Sequence, residues 1–476
     1  MKVLAVASEI QPLVKTGGLA DVVGALPAAL AAQGIAVSTL IPGYPAVLRL
    51  ITVAETVLRY DDLFGGKARL LRARAQGLDL FLLDSPSLFA REGGPYADAE
   101  GREWPDNWRR FAALGRVGAD IAEGKVALYR PALVHAHDWQ AGLTPAYLRR
   151  RDPSVPTVFT IHNMAFQGRF DAAIFPELGL PQDDFAQEGL EYFGGVGFLK
   201  AGLYFASTIT TVSPTYAQEI LTTQQGMGLE GLLRIRPLTG IVNGIDGTAW
   251  NPATDVRLAR RYGPTTLSHR RTNRAALQQR FGLTESQGPI FCVISRLTAQ
   301  KGIDLVIEAL DALLAGGGRL AVLGSGDAAS ESALQRAAAS YPGQVGVQIG
   351  YDEGLAHLLQ GGADAILIPS RFEPCGLTQL YGLRYGCLPI VARTGGLADT
   401  VIDANEAAMV AGVATGFQFW PADAMSLRSA VARAIQVYAQ PKLWTAMQRR
   451  AMRADFSWRR SAERYAALFA SVIAKP

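Results

Sequence analysis

The chain has little of what would mark a secreted, zinc-binding or membrane-spanning protein. Only three cysteines occur in 476 residues, Cys292, Cys375 and Cys387, and none forms a C-x-x-C pair. That count speaks against a disulfide framework and against a thiolate zinc site. No apolar run approaches the ~18 residues that a bilayer requires, so no membrane partner is expected. No dense Lys/Arg run occurs, and 46 basic against 42 acidic residues leave a net charge of only +4. Such a surplus is small for a nucleic-acid binder, although it suits an anionic small substrate. The opening M-K-V-L-A-V-A-S-E-I carries one lysine and an apolar run broken by Glu9. It is too short for a signal peptide and reads as a first buried strand, which predicts a cytoplasmic protein.

What is present is a well-packed globular composition, 49% hydrophobic and 18% charged. The length exceeds what one core supports, so two domains are expected. Short apolar runs at 2–7, 35–41, 132–137, 155–161 and 208–213 read as strands alternating with helical patterns. The rhythm restarts at 291–295, 320–324, 345–349, 365–369 and 388–392, with a helix over 303–315 stopped by glycines. This alternation predicts an α/β protein with two doubly wound, parallel-sheet domains and a cleft between them. The expected domains are 1–242 and 243–456, joined near I-V-N-G-I-D (241–246).

Unusual polar clusters follow the expected strands. They are H-A-H-D-W-Q (135–140), I-H-N (161–163), S-R-L-T-A-Q-K-G (295–302) and P-S-R-F-E-P-C-G-L-T (369–378). Ligands of open α/β sheets bind at the carboxyl ends of strands, so the four clusters would line one crevice. T-G-G-L-A-D occurs twice, at 16–21 and 394–399, each copy led by a cation, Lys15 and Arg393. Gly17 and Gly18 would let backbone N–H groups approach an anion, with Asp21 in the following helix. Each copy also reads as a simple tight turn. Arg296 and Lys301 could converge on adjacent phosphates or stay solvated. In E-P-C-G-L-T, Gly376 bends the chain and a helix is expected from about Leu377 to Gly386. Its start would offer the N–H groups of Leu377 and Thr378 to an anion. Glu373 could accept from sugar hydroxyls or stabilise a cationic transition state. Cys375 could be an activated or a packed thiol.

His135, His137 and Asp138 hint at a metal site, but no further histidine completes it. The alternation puts His135 and His137 on one side of the strand as packing or site-lining groups. His162 with Asn163 is the better candidate for a reaction centre. No D-x-D carboxylate pair occurs to hold a divalent cation beside a nucleotide, so metal-independent chemistry is expected. G-S-G-D-A-A (324–329) matches half of a dinucleotide fingerprint, without the acidic residue that completes it. No cofactor is expected.

Taken in order, K-T-G-G-L-A-D-V-V-G-A-L-P, H-A-H-D-W, F-T-I-H-N, V-N-G-I-D, S-R-L-T-A-Q-K-G and E-P-C-G-L-T resemble bacterial glycogen synthases and the related plant starch synthases. The resemblance spans residues 15–403. It implies a GT-B fold, two Rossmann-like domains facing across a deep cleft, with the acceptor on the N-terminal side and the sugar nucleotide on the C-terminal side. It further implies transfer of glucose from ADP-glucose to the non-reducing end of an α-1,4-glucan such as glycogen, with retention of configuration. A C-terminal helix, here 457–476, is expected to pack back on the first domain.

By the same resemblance Lys15, Gly17 and Gly18 bind the donor, with Asp21, Asn163 and Asn243 in the substrate-binding set. His162 contacts the glucosyl unit and Asp138 lines its pocket. Arg296 and Lys301 neutralise the diphosphate, and Glu373 stands near the transferred sugar among Cys375, Gly376, Leu377 and Thr378. Tyr351 is expected against the base, and the second T-G-G is expected to be structural. Rival readings are a transferase using UDP-glucose or a small sugar acceptor, a nicotinamide oxidoreductase, and a non-catalytic glucan-binding protein. Tyr96, Trp104, Trp108 and Trp139 are candidates both for sugar stacking and for core packing.

Overall fold

The computed structural model describes residues 1–474. They form two compact units, Met1–Gly244 with the segment from Trp458 onward, and Ile245–Ser457. Of the tail 457–476, Lys475 and Pro476 lie outside the described residues.

The first unit contains β1 (Lys2–Val6), β2 (Ala36–Pro42), β3 (Ala54–Tyr60), β4 (Ala68–Ala75), β5 (Leu78–Asp84), β6 (Leu133–His137) and β7 (Thr157–Ile161). The short strands β8 (Arg169–Phe170), β9 (Glu191–Tyr192) and β10 (Gly195–Gly197) follow, then β11 (Thr208–Thr211) and β12 (Leu238–Gly240). Nine of them make one sheet in the order β12-β11-β7-β6-β1-β2-β5-β4-β3, and β8-β10-β9 make a small second one. Every residue of β6 and β7 is buried, the polar His135, His137, Thr157 and Thr160 included, as in a sheet covered on both faces. One edge departs from the all-parallel expectation, because β3, β4 and β5 pair antiparallel. In β4, A-R-L-L-R-A-R-A, Arg69 and Arg74 are exposed while Ala68, Leu70, Leu71 and Ala73 are buried. A partly solvated strand belongs to an antiparallel edge, and this hairpin lies outside the expected strands.

The helix Trp458–Ile473 packs on the helix Gly18–Ala31. Trp458, Ala462, Tyr465, Phe469 and Val472 join Val22, Leu26 and Leu30 in one buried cluster over β1 and β6.

The second unit holds β13 (Ile290–Ile294), β14 (Arg319–Gly324), β15 (Val345–Ile349), β16 (Ala365–Ile368), β17 (Leu388–Ala392) and β18 (Phe417–Phe419). They form an all-parallel sheet in the order β15-β14-β13-β16-β17-β18. The helix Ile303–Ala315 ends at Gly316, as its glycines predict. In each sheet the chain reverses its direction of winding at the first strand. β1 lies between β6 and β2, and β13 between β14 and β16. Both are switch points of the kind that opens a crevice at strand carboxyl ends.

Candidate active site

In the first unit, the loop after β1 leads through Lys15 to the helix that starts at Gly18. A Cβ added to Gly17 or Gly18 would meet nothing within 4 Å, so the two glycines face open space. Lys15 Nζ pairs with Asp21 Oδ1 at 2.7 Å across the first helical turn. The loop is held from behind by Glu9, which is 3% exposed. Its carboxylate accepts from Thr16 Oγ1 at 2.7 Å, from the Thr16 backbone N–H and from the Tyr96 hydroxyl. Ser8 Oγ lies 2.7 Å from the same hydroxyl. Burial and the Glu9 charge push the Tyr96 phenol well above its ordinary range.

The neighbouring strands β6 and β7 deliver Asp138, His162 and Asn163. Asp138 sits at φ +55, a left-handed backbone that few non-glycine residues adopt and that costs about 1–3 kcal/mol. This turn aims its carboxylate at the next strand end, where it accepts from the His162 N–H at 2.7 Å and from the Asn163 N–H. Burial dominates over those bonds and pushes the carboxyl up to about 7. His162 Nε2 lies 3.0 Å from His137 Nδ1, and His135 Nε2 lies 2.6 Å from Thr160 Oγ1. Burial pulls His162 and His135 down to about 3 and His137 well below its usual value, so all three imidazoles are neutral near pH 7. Asn163 Oδ1 accepts from the Ala165 N–H at 2.9 Å. Asn243 follows β12 and carries a buried amide oxygen with no hydrogen-bond partner among the described residues.

In the second unit, Arg296 and Lys301 follow β13, while Glu373 to Thr378 follow β16. Lys301 Nζ pairs with Glu373 Oε2 at 2.5 Å, and Ser370 donates to the same oxygen at 2.9 Å. Both members of the pair are nearly buried, with side chains 16% and 10% exposed. The cation assigned to phosphate and the carboxylate assigned to sugar are therefore direct neighbours. Arg296 is exposed, with its guanidinium 3.5 Å from Gln300 Oε1. Gly376 turns the chain at φ +72, and the helix begins at Thr378, one residue later than expected, with Leu377 as its N-cap. Cys375 is buried. Tyr351 stands just beyond β15, 81% exposed.

The two T-G-G copies differ in surroundings. A Cβ on Gly395 would come within 2.1 Å of Glu373 O, and one on Gly396 within 2.2 Å of Cys375 O. The second copy thus packs backbone to backbone behind the E-P-C-G turn, while the first presents its glycines to solvent.

The chain matches the family model for the starch synthase catalytic domain over residues 2–235 and that for group 1 glycosyl transferases over 276–451. It is 60% identical to glycogen synthase 1 of Rhizobium meliloti over 100% of both chains. The chain belongs to the glycogen and starch synthase family. Its members are retaining glycosyltransferases of the two-domain GT-B fold. A glycogen synthase of Mesorhizobium japonicum is 58% identical over 100% of this chain and 99% of its own. The catalytic domain of starch synthase IV from Arabidopsis thaliana, solved with ADP and acarbose, is 31% identical with a TM-score of 0.88. That match covers 100% of this chain and 99% of the other. No helix among the described residues is long and apolar enough to cross a membrane.

Two supports of the K-T-G-G loop are hard to read from the sequence. Glu9 was visible only as a charge breaking an apolar run, which is itself the signal of a buried, partnered carboxylate. Tyr96, a candidate for sugar stacking or core packing, packs on Phe111 and Trp139, and in addition its hydroxyl is bound to Glu9. Trp139 packs edge-on against Phe111 at 4.9 Å, a core contact.

Proposed function

We propose that the chain transfers glucose from ADP-glucose to the non-reducing end of an α-1,4-glucan, with retention of configuration, as a cytoplasmic, metal-independent glycogen synthase. The observation that carries this is the clustering of the expected groups at strand carboxyl ends beside the switch point of each sheet. The full-length similarity to glycogen synthases supports the acceptor, and the ADP in the starch synthase IV structure supports the donor.

The sugar-nucleotide side falls to residues 243–456 and the acceptor side to 1–242 with the tail helix. When the bond from C1 to the phosphate oxygen breaks, negative charge grows on ADP. Arg296, Lys301 and the helix start at Thr378 stabilise that charge, and Lys15, Gly17 and Gly18 complete the donor contacts. Fixed charges already aimed at the leaving group need no reorganisation and serve in place of a metal ion. On the sugar side the positive charge at C1 is offset by Glu373, with His162 and Asp138 lining the pocket. The acceptor O4 attacks from the face the phosphate leaves, and its proton passes to a phosphate oxygen. Asp21, Asn163 and Asn243 position substrate, Tyr351 contacts the base, and Cys375, Gly376 and Leu377 shape the turn.

The deciding experiment is glucose transfer to glycogen from ADP-glucose and from UDP-glucose in parallel, with EDTA present. Transfer from ADP-glucose alone is expected. Transfer from UDP-glucose alone would overturn the donor, and loss of activity with EDTA would overturn metal independence.

A further inference from the structure

The mechanism leaves His137 without a task, although it is 1% exposed and touches the one imidazole that the reaction uses. A neutral imidazole carries one N–H donor and one acceptor nitrogen, and its partners decide which is which. Between His137 Nδ1 and His162 Nε2, 3.0 Å apart, one nitrogen must donate and the other accept. Two arrangements are possible, and they leave His162 Nδ1 as a donor in one and an acceptor in the other.

The surroundings of His137 favour one. With His135 it lines a cavity of about 10 Å³ whose other walls are Val3, Ala5, Val23, Leu26, Pro27, Leu30 and Val37. His135 makes no hydrogen bond to His137: the two rings lie tilted at 43° with centroids 4.0 Å apart, and His135 turns its Nε2 to Thr160. The His137 ring makes its hydrogen bond at Nδ1, and it borders a cavity whose other walls, His135 apart, are apolar. An N–H turned toward apolar walls without an acceptor is costlier than a lone pair there without a donor. The proton therefore stays on Nδ1 of His137, which donates to Nε2 of His162. His162 must then carry its own proton on Nδ1.

We propose that His137 is a positioning residue, which holds His162 as its Nδ1–H tautomer and so gives the pocket an N–H donor rather than an acceptor. The role of that donor rests on the proposed function, but the tautomer itself does not. Fixing a ring through its second nitrogen is how supporting groups tune a functional imidazole.

The test is ¹⁵N NMR of the full chain labelled at its five histidines, with assignment from His137→Leu, His137→Asn and His162→Asn. The expected result is a single Nδ1–H form of His162 in the wild type, its loss in His137→Leu, and its return in His137→Asn, whose amide can donate from nearly the same place. An Nε2–H form or a mixture in the wild type overturns the proposal. So does an unchanged tautomer in His137→Leu. If a water fills the cavity and accepts from His137, the wild type alone reveals it as the Nε2–H form, even should both His137 variants fail to fold. In kinetics, kcat should fall by about tenfold or more in His137→Leu, with recovery in His137→Asn and unchanged affinity for ADP. A changed tautomer with unchanged kcat would overturn the positioning role. Wild-type protein inactive on ADP-glucose would instead overturn the proposed function and leave the tautomer result standing.

Discussion

The same dipeptide, Gly-Gly, should respond to one added methyl group in two opposite ways. In Gly396→Ala the new Cβ would stand 2.2 Å from Cys375 O and 2.5 Å from Cys375 Cα. Both are backbone atoms, so no side-chain rotation relieves the contact. Reaching even a 3.0 Å separation needs a displacement of about 0.8 Å in the turn that carries Glu373 and Cys375. Overpacking of this kind costs about 1–3 kcal/mol. A shift near 1 Å at reacting groups lowers turnover by about 100-fold. In Gly17→Ala the Cβ meets nothing within 4 Å, and its backbone is extended, so unfolding should not change. Its methyl would occupy the space left for the donor phosphates. The KM for ADP-glucose should therefore rise about tenfold, equivalent to about 1.4 kcal/mol. The assay pairs thermal unfolding with kcat and KM for both variants. Gly396→Ala within twofold of wild type, or Gly17→Ala with an unchanged KM, would refute the division of labour between the copies.

Lys301→Met strands the nearly buried Glu373 with only the Ser370 hydroxyl, and should destabilise the protein by about 3–5 kcal/mol. The double variant Lys301→Met, Glu373→Gln should recover most of that in thermal unfolding while remaining inactive; a double variant no more stable than the single would count against a buried pair. Asp138 has a folded pKa raised to about 7, so its contribution favours folding at low pH and is lost as pH rises from about 4 to about 7. Asp138→Asn should therefore gain stability relative to wild type across that window, measured as the difference in unfolding temperature. The lowered histidines act in the opposite sense, losing stability as pH falls below about 6.5, so comparison with the variant is needed to expose the aspartate.

The doubly wound cores were legible because buried parallel strands announce themselves as short apolar runs. β13 to β17 each lie within a residue or so of where those runs stand. The antiparallel edge β3–β5 was harder to see, since in β4 the arginines at 69, 72 and 74 follow no period of two and look equally like loop or amphipathic helix. Strand ends gave away Asp138, His162 and Glu373, because polar residues directly after buried runs have few other uses. The ion pair of Lys301 with Glu373 was illegible: the residues come from different strand ends, and only the order β13-β16 makes them neighbours. The different surroundings of the two T-G-G copies were likewise invisible. Identical letters met open space in one place and the backbone of another loop in the other.

The helix Trp458–Ile473 sets an order on synthesis. The first unit leaves the ribosome with Val22, Leu26 and Leu30 uncovered, because their partners are encoded after the whole of the second unit. At about 5–20 residues per second, that delay amounts to tens of seconds. Through it the nascent first unit presents a greasy strip that Tyr465 and Phe469 will later seal. A ribosome that stalls inside the second unit would therefore release a nearly finished fold with one wall missing, a natural client for chaperones and proteases. The helix Trp458–Ile473 thus works as a seal that closes the first unit only after the second has been made in full.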